Sequence, residues 1–174
     1  MSEATHKHRE AAPESVRIAV LTISDTRTSE TDTGGDAAQE LFEKAGHEVV
    51  FRGIVRDEAS AIRGAIVDLL ARADVDAVVT TGGTGISARD TTYEVAARMI
   101  DKRLDGFGEL FRMLSYDEIG AAAILSRAIA GAVGNKLLAC LPGSRAAVSL
   151  GVDKLLAPEI SHAVFELNKH REGR

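Results

Sequence analysis

Short runs of apolar, largely β-branched residues alternate along this chain with stretches whose apolar positions recur every three or four residues. That alternation leaves few folds open. The runs Val16 to Ile23 (VRIAVLTI), Val49 to Val55 (VVFRGIV), Ala77 to Thr81 (AVVTT) and KLLACLPG from Lys136 read as buried strands. The first helix carries Ala38, Leu41, Phe42 and Ala45 on one face and stops at Gly46; the second carries Ile62, Ile66, Leu69, Leu70 and Ala73. TTYEVAARMI predicts a third, capped by Thr91 or Thr92, and FGELFRMLS a fourth with Phe107, Leu110, Phe111 and Leu114 together. GAAAILSRAIAGAVGN reads as helical at Ala121 to Leu125, then as an edge strand from Ile129 to Val133. SRAAVSLGVDKLL and PEISHAVFELNKH close the chain as helices, the latter with proline in its first turn.

Strands and helices in this order predict an α/β layered domain with a mainly parallel sheet. At 174 residues with 45% hydrophobic content, the chain supports one core without disulfide or metal staples. No repeat or linker interrupts Val16 to Leu167, so residues 16–174 read as a single domain behind a polar, disordered tail of residues 1–15. His6 and His8 belong to that solvated tail.

A net charge of −5, from 21 basic against 26 acidic residues, argues against a general nucleic-acid binder but allows a local pocket for a small anion. No run approaches the roughly 20 apolar residues that span a membrane, and nothing resembles a signal peptide. The lone Cys140, within an apolar strand, suits a reducing cytoplasm and reads as a buried packing residue.

In open α/β sheets, ligands bind beyond the carboxyl ends of the strands. Strand one leaves into Ser24, Asp25 and Thr26, strand two into Arg56, Asp57 and Glu58. Strand three leaves into Gly82, Gly83, Thr84 and Gly85, then Arg89 and Asp90; the last leaves into Pro142, Gly143, Ser144 and Arg145. In a parallel sheet these loops share one edge, and together they suit phosphate and a metal ion. Glycines let backbone N–H groups approach anionic oxygens, and carboxylates such as Asp57 and Asp90 hold magnesium, which shares hard oxygen ligands with phosphates. Arg89 or Arg145 would offset charge on a transferred group, and LPGS at a helix start is a second anion site. Taken singly, each element has a plainer reading: the glycines as a turn, Asp57, Asp90 and Ser144 as helix caps, Asp25 as a loop residue. Gly83, Gly85 and Ala88 match a dinucleotide fingerprint only formally, since the loop follows the third strand and a polar RDTT continues it. There is no Walker A lysine, no zinc spacing and no local serine or cysteine triad motif.

TTGGTG with the following RD and Glu94, GFGELFRMLSYDEIG, AILSRAIAG, LPGS and the early TISDTRTSETDTGGDAAQELFEKAGHEV resemble, in order, the MoaB/Mog family of molybdenum cofactor biosynthesis, related to the gephyrin G domain. The resemblance runs from Val16 to about Leu167 and implies a three-layer α/β/α sandwich of the molybdopterin-binding type. It implies a homo-oligomer, trimer or hexamer, with a molybdenum-insertion protein as a further partner. The implied activity is adenylylation of molybdopterin by Mg²⁺ and ATP with release of pyrophosphate. Asp57 and Asp90 are then the catalytic and metal-holding pair, and Gly82 to Gly85 with Ser24 and Asp25 the nucleotide site. Pro142, Gly143, Ser144, Ser126 and Arg127 would meet the pterin phosphate, with Arg127 equally open to a surface or intersubunit role. The alternative is a non-catalytic molybdopterin carrier or scaffold. Tyr93 departs from the family, standing where active relatives commonly have proline.

Overall fold

The computed structural model describes residues 12–170, so most of the N-terminal tail, His6 and His8 included, lies outside the described residues. Six strands build one sheet in the order β2-β1-β3-β6-β5-β4. They are β1 (Arg17–Ile23), β2 (Glu48–Val55), β3 (Ala77–Thr81), β4 (Lys102–Arg103), β5 (Ile129–Val133) and β6 (Lys136–Leu141). β2, β1, β3 and β6 run parallel, whereas β5 is antiparallel to β6 and β4 to β5. The helices are α1 (Thr33–Lys44), α2 (Ala59–Ala71), α3 (Thr92–Met99), α4 (Asp105–Ile119), α5 (Arg145–Gly151) and α6 (Ala157–Asn168). A 3₁₀ segment, Gly120–Leu125, follows α4, and a π turn, Val152–Leu156, joins α5 to α6.

Alternation along β1 divides the core. Ile18 and Val20 pack with Phe42 of α1, Phe111 of α4 and Ile160 of α6, while Ala19, Leu21 and Ile23 pack with Ile62 and Ile66 of α2 and Val95 of α3. The sheet is therefore covered on both faces, a three-layer α/β/α sandwich. Each large side chain buried this completely contributes about 1.5–3 kcal/mol. Cys140 is fully buried in β6, where burial pushes its thiol up to about 12.

Two local expectations are corrected, the reach of α2 to Ala73 and the capping bond of Thr91. α2 ends at Ala71, leaving Ala73 exposed, and Val75 takes the buried position instead. Gly34 and Gly35 belong to the first turn of α1, because the buried Asp32 accepts from the Gly35 N–H at 3.0 Å and caps the helix. Thr91 precedes α3 without a capping hydrogen bond from its side chain. Pro158 lies in the first turn of α6 as expected, and the chain enters that helix through a π turn. Proline cannot donate to the preceding turn, which suits a widened turn at that point. Among the described residues no helix is long and apolar enough to cross a membrane.

The topology positions the site. From β1 the chain passes through α1 to β2 on one side, then through α2 to β3 on the other. α1 and α3 consequently cover opposite faces, and the loops leaving β1 and β3 part toward them at the carboxyl edge of the sheet.

Candidate active site

β3 ends in two glycines that no other residue could replace at low cost. Gly82 and Gly83 have φ of +99° and +63°, in the left-handed region. A Cβ on Gly82 would stand 2.3 Å from the Ile23 carbonyl oxygen, while the Gly82 N–H donates to the Leu141 carbonyl at 2.9 Å. The loop is thus threaded between the ends of β1 and β6. A Cβ on Gly143 would stand 3.1 Å from Cα of Gly82, and one on Gly34 3.3 Å from the Gly143 carbonyl oxygen. Two loops and the first turn of α1 meet here as bare backbone.

Beyond the glycines the loop folds back on itself. The Thr92 N–H donates to the Gly83 carbonyl at 3.0 Å, and the Ser87 N–H donates to Oδ2 of Asp90 at 2.8 Å. Asp90 therefore closes a turn over Gly85 and does not cap α3. Asp57 follows β2 but does not cap α2 either, since Glu58 holds that position without a side-chain bond. The Oδ1 of Asp57 is buried with no hydrogen-bond partner among the described residues. Asp25 links the loops: its carboxylate accepts from the Asp57 N–H at 3.3 Å and from Arg89 at 2.5 Å. Burial, and next the negative charges of Asp90 and Asp25, push the Asp57 carboxyl up; the Thr91 backbone N–H and Arg89 oppose this in part.

A cleft of about 610 Å³ opens in front of these loops. Gly82, Gly83, Thr84, Gly85 and Asp90 form one side, and Pro142, Gly143, Ser144 and Ser126 the other. Ser126 and the residue after it reach this edge because β5 is antiparallel, so its amino end lies where the parallel strands have their carboxyl ends. Ser144 also caps α5 by accepting from the Ala147 N–H at 3.2 Å. Ser24, Asp25, Asp57 and Arg127 are not among the lining residues. Ser24 accepts from the Arg27 N–H at 3.1 Å and shapes the loop that brings Arg27 to the cleft. Arg127 turns onto backbone carbonyls of the glycine loop and onto Glu94. Arg145, expected to meet an anion, instead faces Glu40 at 3.9 Å and lines a separate depression.

Sequence reasoning missed Arg27 and the apolar wall of Phe111, Ile119 and Leu125, with the Ser115 hydroxyl among them. Phe111, Ser115 and Ile119 recur every four residues, a signal that marks a shared helix face but not which face opens to a ligand.

Among the described residues no group of three or more His, Cys, Asp or Glu could hold a metal ion. Magnesium bound with substrate phosphates needs only one or two carboxylates. The buried, unpartnered Oδ1 of Asp57 beside the charges of Asp90 and Asp25 fits a hard cation, which would relieve their repulsion.

The family model described as a probable molybdopterin binding domain matches residues 19–162. Molybdenum cofactor biosynthesis protein B of Bacillus cereus is 48% identical over 164 residues, covering 94% of this chain and 97% of the relative. A crystal structure of a molybdenum cofactor biosynthesis protein B is similar at a TM-score of 0.88 and 49% identity, over 91% of this chain and 99% of the other. The tungsten cofactor synthesizing protein MoaB of Pyrococcus furiosus is similar at 0.79 and 35% identity, over 91% and 98%.

Proposed function

The chain belongs to the molybdopterin-binding-domain family of molybdenum cofactor biosynthesis proteins, and from that premise we propose that it adenylylates molybdopterin with Mg²⁺ and ATP, releasing pyrophosphate. The observation that carries this reading is the buried, unpartnered Oδ1 of Asp57 set among like charges behind a loop of bare backbone.

Asp57 and Asp90 would hold the magnesium ion, which offsets charge on the triphosphate when bound. The glycine loop offers phosphate oxygens its backbone with no Cβ in the way. Arg27, whose Nη1 donates to the Thr31 carbonyl at 2.6 Å, brings a positive charge to the same cleft. A phosphate oxygen of molybdopterin attacks the α-phosphorus, the bond to the bridging oxygen breaks, and pyrophosphate leaves with that electron pair. An attacking oxyanion needs no strong base, so positioning and electrostatics carry the step. The apolar wall of Phe111, Ile119 and Leu125 offers a surface for a flat ring.

Pyrophosphate release from ATP that requires molybdopterin, and is lost in Asp57→Asn and Asp90→Asn with neither variant less stable than wild type, is the expected result. Tight molybdopterin binding with no response to ATP and Mg²⁺ would establish the carrier reading instead.

Self-association is part of the same proposal, as is a molybdenum-insertion protein downstream. Leu110, Met113, Tyr116 and Ile119 of α4 are all exposed, and Ile124 and Leu125 extend the patch beside the cleft. Phe111 of the same helix is core, 1% exposed, and Phe107 and Leu114 pack against the core with it, so the subunit face would be the exposed residues and not these three.

A further inference from the structure

Arg127 stands at the amino end of β5, and every nitrogen of its guanidinium is engaged by the protein. Nε donates to the Thr84 carbonyl at 3.0 Å, Nη1 to Glu94 Oε1 at 2.5 Å, and Nη2 to the Gly85 carbonyl. Nη2 also reaches the Asp90 carbonyl at 3.3 Å and Glu94 Oε2 at 3.3 Å. The ring of Tyr93 lies beneath, 5.0 Å from the guanidinium carbon, and Arg103 donates to the Tyr93 hydroxyl at 3.4 Å.

We propose that Arg127, clamped by Glu94 and Tyr93, is a positioning residue that aims the glycine loop at an anion and not itself an anion ligand; this rests on the phosphate-binding reading of the cleft. In a trans peptide the C=O and the next N–H point in opposite directions. Fixing the Thr84 and Gly85 carbonyls on Arg127 therefore turns the Gly85 and Ile86 N–H groups away from it. Fixing the Asp90 carbonyl likewise turns the Thr91 N–H away, and that N–H acts on the Asp57 carboxyl. One side chain thus sets the loop's donors and couples them to both aspartates. The charge of Arg127 is already matched by a bidentate carboxylate, so it has little left for a phosphate. Tyr93 takes part in this clamp: it supports the cation through its ring face. It does so at the position where the resemblance led to the expectation of a proline.

The test is calorimetric titration with magnesium-ATP of the wild type, Arg127→Lys and Glu94→Ala, together with backbone amide exchange of the ligand-free proteins. Lysine keeps the charge but cannot span three carbonyls and a carboxylate. A positioning role predicts binding weakened about tenfold or more in both variants, as for other groups that act through a binding residue. It also predicts faster exchange at Gly85, Ile86 and Thr91 with the β1 and β6 amides unchanged. Wild-type affinity in Arg127→Lys, or tighter binding in Glu94→Ala, would overturn it, because removing a competing acid frees a true anion ligand. If the wild type binds no magnesium-ATP, the phosphate reading fails. The exchange data then decide the clamp alone: faster loop amides uphold it and unchanged ones refute it.

Discussion

A Cβ placed on Gly85 would stand 2.5 Å from Oδ2 of Asp90. The carboxylate occupies the space that any side chain at position 85 would need. Because the obstruction is a side chain, Asp90 can give way, and Gly85→Ala should fold with a melting point near wild type. Magnesium-dependent ATP binding should nonetheless fall about tenfold, since Asp90 must leave its place. Gly82→Ala should behave oppositely. There the obstruction is the Ile23 backbone oxygen and φ is +99°, so the cost falls on the fold, about 1–3 kcal/mol. Chemical denaturation and calorimetry on the pair separate the two effects. Equal losses of stability would show that the loop cannot move Asp90 independently.

The Asp57 carboxyl should make ligand affinity depend on pH. Its folded pKa lies above the unfolded value, so the folded chain keeps a proton there over a window where the unfolded chain has lost it. The stability this supplies is full below the unfolded pKa and is lost as pH rises through the folded one. Asp57→Asn removes that loss, and the ligand-free variant should melt above wild type at pH 7. The metal needs the carboxylate, so magnesium-dependent binding should weaken as pH falls through the same window, by up to about tenfold per unit. Titrations from pH 7 to 4 check this; a flat profile would remove Asp57 from the metal site.

Strands, helices and the identity of the meeting loops were legible in the sequence because each rests on a local period or on glycine. β4 was not, since Lys102 and Arg103 are exposed and pair with the distant Gly131 and Ala132. The start of α1 was also hidden. Gly34 and Gly35 look like loop residues, and only the approach of Gly143 and the Asp32 cap explains them. Gly82 to Gly85, Asp90 and Ser144 were readable as one site from topology. Arg127 and Arg145 were not distinguishable as arginines beside that site, because their partners, Glu94 and Glu40, lie 33 and over a hundred residues away in sequence.

Asp32 should be among the residues the fold tolerates losing least. It is 1% exposed, accepts from the Thr22 hydroxyl at 2.7 Å and the Gly35 N–H at 3.0 Å, and pairs with Arg52 at 3.2 Å. Asp32→Ala removes a helix cap and the more buried of the two carboxylates on Arg52, which keeps Asp36 at 2.6 Å, a loss of about 2–4 kcal/mol. Thr22→Val removes the hydroxyl contacts to Asp32 at 2.7 Å and Thr81 at 3.2 Å and should cost about 1–2 kcal/mol. Urea denaturation of both variants checks the order. Equal effects would mean that the ion pair contributes nothing beyond the hydroxyl contact.

Met113 is 56% exposed and lies along α4 with Leu110, Tyr116 and Ile119, whereas Phe111 of the same helix is buried. An apolar stripe held in water gains roughly 25 cal/mol for each Å² removed from it, which favours contact with a second copy. Met113→Glu places a charge in the middle of the stripe without touching the core. It should shift the protein to a smaller species in sedimentation at micromolar concentration, with far-ultraviolet circular dichroism unchanged. Ile119 and Leu125 belong both to this patch and to the cleft wall, so dissociation should also weaken ligand binding at low protein concentration. Wild-type protein that sediments as a monomer throughout would end the subunit-face reading, and an unchanged assembly in Met113→Glu would place the contact elsewhere.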